Sequence, residues 1–262
     1  MDRIDELHLR RAGAPAPAAR RYTVGFARGV EAIRAAQRLR WKVFAGELGG
    51  RPPGRARGLD EDIFDPYCEH LVVRDNEGGE VVGTYRILPP QAARRIGCYY
   101  SETGFDLTRL RPLRDRLVEV GRSCIHPAHR NGTVIALLWS GLARYMIAGD
   151  YGYLAGSASI SASDEGRSAA SIFARLRETH LAPVEYRVFP RRPLTPEDLA
   201  GPCAAPTPPL LRGYLSAGAW ICGEPSLDPD FNTADLFLLL PIARVNARHA
   251  RHFFAETERA AA

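Results

Sequence analysis

Hydrophobic and polar positions change their spacing along the chain, and each change marks a predicted element. Residues 22–27 have the pattern of a strand, and apolar residues from Val30 onwards recur at mostly helical spacings, which predicts a helix to about Leu48. Two more strands are predicted over residues 68–74 and 80–88, joined by a short polar turn that contains two glycines. These two strands are therefore expected to form a hairpin.

The middle of the chain has the order strand, turn, helix, strand. Residues 117–125 are a predicted strand, Arg130-Asn-Gly132 opens an apolar helix over 133–148, and residues 151–157 form the next strand. This order is typical of a βαβ unit, in which the N-terminus of the helix can bind an anion or a polar chain. Later elements are a helix at 165–179, a segment at 184–189, a helical turn at 209–215 and a buried strand at 234–240.

The length favours one domain with extensions over two separate domains. We expect a flexible N-terminal arm at residues 1–20, a single domain over 21–250 and a tail at 251–262. Residues 190–250 are expected to be a C-terminal extension packed on that domain. A long, mobile loop is predicted at residues 51–66, because Gly, Pro and Arg there precede an acidic run.

Composition indicates a globular protein with a basic surface. Apolar residues make up 45% of the chain and charged residues 25%, while the net charge of +5 suits an acidic partner. A nucleic-acid partner is not expected, because the chain has no helix-turn-helix pattern and no aromatic-basic stripe. Nearly all of the basic residues are arginines, and Lys42 is the single lysine.

Cysteine usage and the terminal sequence bear on the compartment. Five cysteines without regular spacing argue against a disulfide framework, and no set of metal-ligand spacings is complete, so we expect no metal site. The first residues lack the basic and then apolar order of a signal peptide, and the longest apolar stretch is short for a membrane span. A cytoplasmic protein is expected, with at most peripheral contact to the inner membrane.

The strand at 117–125 carries two charged residues within an otherwise apolar run. Strict alternation would place Glu119 and Arg122 on opposite faces. A bulge at Gly121 would bring both to one side, which is a common arrangement beside active sites. A surface pair on an edge strand is the alternative that this strand alone leaves open.

Four motifs in order carry a resemblance to a known family. They are Arg40-x-x-Val-Phe44, Asp62-x-x-Asp65, Gly83-Thr-Tyr-Arg86-Ile-Leu-Pro89 and Glu119-x-x-Arg122. In this order and spacing they resemble the acyl-homoserine-lactone synthases, which are a branch of the acetyltransferase-like (GNAT) fold. Gly49-Gly50 departs from the synthase pattern, which has a tryptophan after the first helix.

The chain resembles the bacterial ornithine N-acyltransferases, which make lyso-ornithine lipid, more closely and over most of its length. The supporting segments include Phe64-Asp-Pro-Tyr-Cys-Glu-His, Tyr100-Ser-Glu-Thr-Gly-Phe-Asp, Pro209-Leu-Leu-Arg-Gly-Tyr and Pro229-Asp-Phe-Asn-Thr-Ala-Asp. The resemblance implies an α+β or α/β acetyltransferase-like fold. Its central sheet would be mixed and mostly antiparallel, with a bulged strand, flanking helices and a C-terminal extension.

The resemblance also implies an activity and a set of partners. It implies transfer of a 3-hydroxyacyl chain from acyl carrier protein to the α-amine of L-ornithine, with no bound cofactor besides the phosphopantetheine of the carrier. His129-Arg-Asn-Gly-Thr133 departs from the glycine-rich pyrophosphate loop of acetyl-CoA-dependent relatives, and a carrier-protein donor tolerates that loss. Basic clusters are candidates for steering the acidic carrier, with a merely solvated surface as the equal alternative; they contain Arg38, Arg40, Lys42, Arg111, Arg114 and Arg116.

The candidate site residues fall into three groups. We assign catalysis to Glu119, Arg122 and Asp65, with Glu119 as the base that deprotonates the amine directly or through water. We assign substrate binding to Asp62, Arg86, Arg40 and Phe44, and binding of the acyl-phosphopantetheine arm to Ser123, Cys124, Ile125, Arg130 and Gly132. For the acidic Asp62 and Asp65 pair, helix capping or solvation is the alternative, and for Arg86 it is a buried ion pair.

Three alternatives to ornithine acylation stay open from the sequence. The first is an acyl-homoserine-lactone synthase that uses S-adenosylmethionine. The second is an N-acyltransferase for another amino acid, such as glutamine, lysine or glycine. The third is a catalytically silent acetyltransferase-like module that binds a carrier protein, a lipid or nucleic acid.

Overall fold

The computed structural model of the chain describes residues 4–6, 21–47, 49–51, 58–194 and 205–245. These residues form two compact units. The first unit holds the described residues up to Ile87 together with Gly121–Asp150, and the second holds Leu88–Val120 and those from Tyr151 onwards. The predicted tail at 251–262 and most of the predicted N-terminal arm lie outside the described residues.

An antiparallel sheet forms the centre of the first unit. Its strand order is β1-β2-β3-β4, followed by the second half of β6. The bounds are β1 Ile4–Glu6, β2 Tyr22–Ala27, β3 Glu69–Asp75, β4 Val81–Leu88 and β6 Leu117–Ile125. Residues 4–6 were expected in a flexible arm, but their backbone pairs with β2, placing Ile4 opposite Ala27.

Two helices cover opposite faces of this sheet. Helix α1 spans Val30–Trp41 and packs in a cluster with Val72 of β3. Helix α3 spans Thr133–Ala148, and its Gly141 lies against Leu71 of β3. Since neighbouring strand residues point to opposite faces, Leu71 and Val72 place the two helices on the two sides of the sheet. Both faces of β4 are therefore covered, and all eight of its residues are buried.

The first predicted helix changes its hydrogen bonding near its end. Helix α1 ends at Trp41, and Lys42–Glu47 continues as a π-helix. The apolar Val43 and Phe44 keep an approximately helical spacing, so the hydrophobic pattern did not reveal the change. The Gly50 amide donates to the carbonyl of Phe44 at 2.8 Å and closes this segment.

Three adjacent strands organise the second unit. The first half of β6 runs parallel to β7, Tyr153–Ser161, and β7 is antiparallel to β11, Thr233–Pro241. The shorter strands are β5 Phe105–Asp106, β8 Phe189–Pro190, β9 Trp220–Ile221 and β10 Ser226–Asp228, and the helices are α2 Pro90–Ile96, α4 Arg167–His180 and α5 Pro209–Ala217. The prediction of a mixed, mostly antiparallel sheet with flanking helices is confirmed.

Two segments outside the long helices and strands have a defined conformation. Residues 184–189 form a 3-10 turn, Val184–Tyr186, before the short strand β8, because prolines at 183 and 190 confine the segment. In the loop predicted to be mobile at 51–66, Asp60 and Phe64 are buried and a 3-10 turn begins at Asp65. Residues 52–57 of that loop lie outside the described residues.

Candidate active site

Three arginines bind the acidic loop at residues 60–65 of the first unit. Arg40 donates from Nε to Asp60 Oδ2 at 2.8 Å and from Nη2 to Asp65 Oδ1 at 2.7 Å. Arg86 donates from Nη1 to Asp62 Oδ1 at 2.7 Å and lies 3.3 Å from Asp65 Oδ2. The charged loop is therefore fixed by ion pairs, which is why it packs inside the unit although its composition is typical of a solvated loop.

Arg122 completes this set, which we call the ion cluster: Arg40, Asp60, Asp62, Asp65, Arg86 and Arg122. Its Nε lies 3.2 Å from Asp60 Oδ2, and its Nη2 lies 3.4 Å from Asp62 Oδ2. The three arginines and three aspartates balance in charge. Burying unpaired charges would cost several kcal/mol per ion, so this balance is what makes the cluster tolerable inside the protein.

His70 lies beside the ion cluster as a neutral ring. Arg40 Nη1 is 3.2 Å from His70 Nδ1, and His70 Nε2 is 3.2 Å from the carbonyl of Asp65. Burial and the charge of Arg40 lower the pKa of His70 to about 4. The two contacts fit one tautomer, in which Nδ1 accepts from Arg40 and Nε2–H donates to the carbonyl.

The carboxyl of Asp65 stays ionised despite its burial. Burial by itself would raise the pKa of Asp65, but the charges of Arg40 and Arg86 outweigh it and hold that pKa below its ordinary value. Burial likewise opposes the charged form of Arg86, while Asp62 and the other nearby acids raise its pKa. Arg40 is completely buried. It therefore cannot steer a carrier protein at the surface, contrary to our expectation.

The chain reverses its backbone conformation at Arg122. Arg122 has a φ of +50°, whereas the bulge had been expected one residue earlier, at Gly121. A left-handed conformation costs a non-glycine residue about 1–3 kcal/mol and is held only when the surroundings fix it. The contacts of Arg122 with Asp60 and Asp62 supply that fixation, so the irregularity serves to aim its guanidinium at the acidic loop.

Glu119 belongs to the second unit and binds two backbone amides there. Its Oε2 accepts from the amide of Tyr100 at 2.6 Å, and its Oε1 accepts from the amide of Ser101 at 2.7 Å. Glu119 itself is buried. Its carboxylate thus caps the 3-10 turn Tyr100–Thr103 and is held in one orientation by that turn.

A second carboxylate braces the same turn from the other side. Glu102 Oε2 accepts from the amide of Tyr99 at 2.7 Å, and Arg114 pairs with Glu102. The Tyr99 hydroxyl lies 2.8 Å from the carbonyl of Leu117, just before Glu119 in β6. Burial and the charge of Glu119 raise the pKa of that hydroxyl. The sequence segment around Tyr100 is therefore part of the setting of Glu119.

The residues assigned to the acyl-phosphopantetheine arm lie at the end of β6 and in the following turn. Ser123 and Ile125 are half-buried, whereas Cys124 is buried and its pKa is raised to about 12 by burial. A thiol with that pKa is protonated at neutral pH, which excludes Cys124 as a ready thiolate nucleophile. Gly132, with a φ of +87°, directly precedes α3.

Arg130 is engaged by an acidic partner. Its Nη1 and Nη2 donate to the two carboxylate oxygens of Glu47 at 2.6 Å each, and its Nε donates to the carbonyl of Ile125 at 3.2 Å. This bidentate pair connects the turn to the π-helix that follows α1. Phe44, from the same π-helix, packs half-buried against the α1 cluster.

Comparison with known proteins identifies the family. The acetyltransferase (GNAT) domain matches residues 39–140. An L-ornithine N(alpha)-acyltransferase from Rhodobacter capsulatus is 36% identical over 250 residues, which cover 90% of this chain and 96% of that protein. One of the same name from Brucella abortus is 33% identical over 244 residues, which cover 87% of each chain.

The chain belongs to the L-ornithine N(alpha)-acyltransferase family. The acyltransferase also has the fold of the acyl-homoserine-lactone synthases, as the resemblance implied. The structure of the synthase LasI matches with a TM-score of 0.51 and 14% identity, covering 89% of this chain and 94% of that chain. For the synthase MesI the TM-score is 0.50 at 13% identity, with 88% of each chain covered. The prediction of an acetyltransferase-like fold is confirmed.

Sequence reasoning predicted part of this candidate site and missed part. It singled out five members of the ion cluster, and the structure brings these five together. It missed Asp60 and His70, although both lie close to predicted residues. An acidic residue at 60 had been assigned to the solvated run, and His70 lies in a strand whose apolar pattern gave no reason to single it out. Within the described residues, no helix has the length and hydrophobicity of a membrane span.

Proposed function

We propose that this protein transfers a 3-hydroxyacyl group from acyl carrier protein to the α-amine of L-ornithine, producing lyso-ornithine lipid. The observation that carries the proposal is its similarity to proteins of one name. Four proteins named L-ornithine N(alpha)-acyltransferase are 31–36% identical to it over 87–90% of its length. A thioester donor is already activated, so the enzyme needs to bind, orient and move a proton.

Glu119 is proposed as the base for the incoming amine. Each carboxylate oxygen offers two acceptor positions, and the amides of Tyr100 and Ser101 use one position on each. We propose that this oriented carboxylate accepts a proton from the ornithine α-ammonium, directly or through a water. The amine then forms a C–N bond with the thioester carbonyl, and the C–S bond breaks. The second proton that the nitrogen loses, on forming the amide, passes to the pantetheine thiolate.

The ion cluster is proposed to hold the amino acid by an exchange of partners. Ornithine carries a carboxylate and a side-chain ammonium, so it can enter a charge-balanced cluster without unbalancing it. Arg122 and Asp62 have the most exposed side chains of the cluster, at 9% each. We therefore assign the ornithine carboxylate to Arg122 and its side-chain ammonium to Asp62.

The other members of the cluster are proposed to act by positioning. Arg40 is wholly buried, and Asp65 and Arg86 each pair with two charged side chains of the cluster, so we assign to these three residues the task of holding the loop. This revises the expected roles of Asp65 in catalysis and of Arg40 and Arg86 in substrate binding. Binding of the substrate by Phe44 stays a prediction, as does binding of the pantetheine arm by Ser123, Cys124, Ile125, Arg130 and Gly132.

Peripheral contact with the membrane is proposed for a surface of the second unit built from residues 105–116 and 183–192. Val184 and Phe189 are exposed by 59% and 52%. Arg109 donates to the carbonyl of Val184 at 2.8 Å and lies 4.9 Å from the ring centroid of Phe189. Seven arginines and three acidic residues occur in these two segments. Apolar tips surrounded by guanidinium groups suit an anionic lipid surface.

Vesicle sedimentation tests this contact. We expect binding to phosphatidylglycerol vesicles that weakens with salt and is lost in Phe189→Ser. Binding should persist in the matched control Ile147→Ser, since Ile147 is a comparably exposed apolar residue of α3. Equal binding by both variants would exclude this surface, and a loss of carrier-protein affinity in Phe189→Ser alone would reassign it to the donor.

Product analysis tests the proposed reaction. The purified protein is incubated with 3-hydroxyacyl carrier protein and ornithine, glutamine, lysine, glycine or S-adenosylmethionine in parallel, and products are measured by mass spectrometry. We expect an N-acylated ornithine carrying one hydroxyacyl chain. A lactone product, or a preference for another amino acid, would contradict the proposal, and no product with any amine would support the silent module.

A further inference from the structure

The single lysine of the chain contacts a histidine at the end of β6. Lys42 is the first residue of the π-helix, and its Nζ lies 2.7 Å from Nε2 of His126. The other 34 basic side chains counted as Lys or Arg are arginines. A compositional bias towards arginine therefore does not account for this lysine, and a compact ammonium differs from a planar guanidinium in the ligands it fits.

His126 has two hydrogen-bond donors beside its ring nitrogens, the Lys42 ammonium and the Ala128 amide, and it cannot accept from both. Its Nδ1 also lies 3.3 Å from the amide nitrogen of Ala128, which can only donate. A neutral imidazole has one acceptor nitrogen, so it cannot accept from both the Ala128 amide and a Lys42 ammonium. Burial and then the charge of Lys42 lower the pKa of His126. A small anion that replaced the direct contact between the two side chains would accept from both.

The neighbouring acids are committed elsewhere. Glu47 is bound by both terminal nitrogens of Arg130, and Asp75 lies 3.5 Å from Arg21. Among the described residues no carboxylate lies within ion-pair distance of Lys42. The ring of His129 stands 5.4 Å from that of His126, but its Nδ1 also lies 3.9 Å from Asp75 Oδ2. Among the described residues Lys42 and His126 themselves have no carboxylate at ion-pair distance, although Glu80 acts on His126 from further away, and this suits the pair to an anionic ligand.

The position of the pair along the strand indicates which anion would reach it. His126 directly follows β6, whose residues 123–125 are the predicted binding strand for the pantetheine arm. A pantetheine arm is an extended polyamide, so it can lie along a strand much as another strand does. Its phosphate, at the end remote from the thioester, would then come to the end of the strand, where Lys42 and His126 meet.

We propose that Lys42 and His126 form a phosphate site that receives the phosphate group terminating the donor's pantetheine arm. This inference rests on the proposed function and adds a residue pair that the strand and turn motifs did not contain. The Lys42 ammonium binds the phosphate as a point charge, and the His126 imidazole donates to the phosphate from Nε2. Because the pair is partly exposed, the gain in affinity falls as ionic strength rises.

Matched donors with and without the phosphate test the site. The ratio of kcat/KM for S-acyl-4′-phosphopantetheine to that for S-acyl-pantetheine is measured with ornithine as acceptor. We expect a ratio of about ten or more in the wild type, as one charge-assisted hydrogen bond can supply. Lys42→Met should bring the ratio close to one, and Lys42→Arg should retain part of it. Arg34→Met, which makes the same change in charge at an exposed residue of α1, should leave the ratio unchanged.

Direct binding separates a failure of this site from a failure of the proposed reaction. Phosphopantetheine and pantetheine are titrated calorimetrically into the wild type and Lys42→Met. Phosphate-dependent binding that is lost in Lys42→Met supports the site even if no ornithine is acylated. Equal binding of the two ligands by the wild type, or an unchanged preference for the phosphate in Lys42→Met, would overturn it. Circular dichroism of Lys42→Met establishes that the variant is folded.

Discussion

The carboxylate of Glu119 accepts a hydrogen bond from the backbone amide of Ser101 at 2.7 Å. A residue proposed as a base is thus also a structural cap. Its neighbour Tyr100 donates to the other oxygen, so the turn that needs the carboxylate also fixes its orientation. A base held in one place can act on an amine without first losing side-chain freedom.

Replacing Glu119 by glutamine should impair chemistry and stability together. The amide group of glutamine has one oxygen and cannot accept at both positions, so one buried N–H loses its partner, at a cost of about 1–3 kcal/mol. Loss of the base should lower kcat by about 10²–10⁴-fold. Steady-state kinetics and urea unfolding measure the two effects. Acylation at the wild-type rate would refute the assignment of the base.

Glu102→Gln is the matched control for that variant. Glu102 caps the same turn through the amide of Tyr99, at 2.7 Å, and is not proposed to contact substrate. We expect a comparable loss of stability and a much smaller change in kcat. If Glu102→Gln lowered kcat as strongly as Glu119→Gln, both variants would act by disturbing the turn and not by impairing proton transfer.

Substitution should have little effect at Gly121, where the bulge was predicted, and a larger effect at Arg122, which has the positive φ. A Cβ built at Gly121 has no heavy atom within 4 Å, so Gly121→Ala should change stability by less than about 0.5 kcal/mol. Arg122→Gly should relieve the strain of the positive φ but remove the charge, raising KM for ornithine about tenfold or more. A tenfold factor corresponds to about 1.4 kcal/mol. An unchanged KM would remove Arg122 from substrate binding.

Arg40→Met should unfold the first unit at lower denaturant concentration. It leaves Asp60 and Asp65 buried without their main cation, and breaking a buried pair costs about 3–5 kcal/mol. Urea unfolding followed by fluorescence measures the change. Arg38→Met removes an exposed arginine from the same helix and should alter stability by less than about 0.5 kcal/mol. Similar values for the two variants would contradict the ion cluster as described.

Acid should destabilise the protein through His70. Its pKa is about 4 in the folded protein and 6.5 in the reference state, so between these values the unfolded chain binds a proton that the folded one does not. Stability therefore falls as pH falls from about 6.5 to 4, by roughly 3 kcal/mol in total. We expect His70→Gln to flatten this part of the stability profile and His180→Gln to leave it intact. An equal slope in His70→Gln would contradict the buried neutral ring.

Periodicity predicted the regular elements well. The strands Tyr22–Ala27 and Leu117–Ile125 and the helix Thr133–Ala148 occur at their predicted bounds. The π-helix after Trp41 could not be predicted, since it differs from an α-helix by hydrogen-bond partners and not by hydrophobicity. Local pattern likewise assigned the acidic loop to solvent, whereas arginines distant in sequence bury it.

The candidate site was predictable where a charge interrupts an apolar run. Glu119, Arg122 and Arg86 stand out in this way, and all three have their charged groups bound inside the protein. The amides that hold Glu119 carry no sequence signal, because every residue but proline has one. The positive φ of Arg122 was equally hidden, since arginine is not a residue that favours that conformation.

The ion cluster also has a consequence for how the protein folds. It joins four segments, around residues 40, 60–65, 86 and 122, so every pairing within it closes a long loop of chain. Such contacts tend to form late in folding, because the chain loses the entropy of closing the loop before it gains the contact. We therefore expect cluster variants such as Arg40→Met to accelerate unfolding more than they slow folding, which stopped-flow chevron plots measure. The cluster would then slow unfolding and so lengthen the lifetime of the folded state.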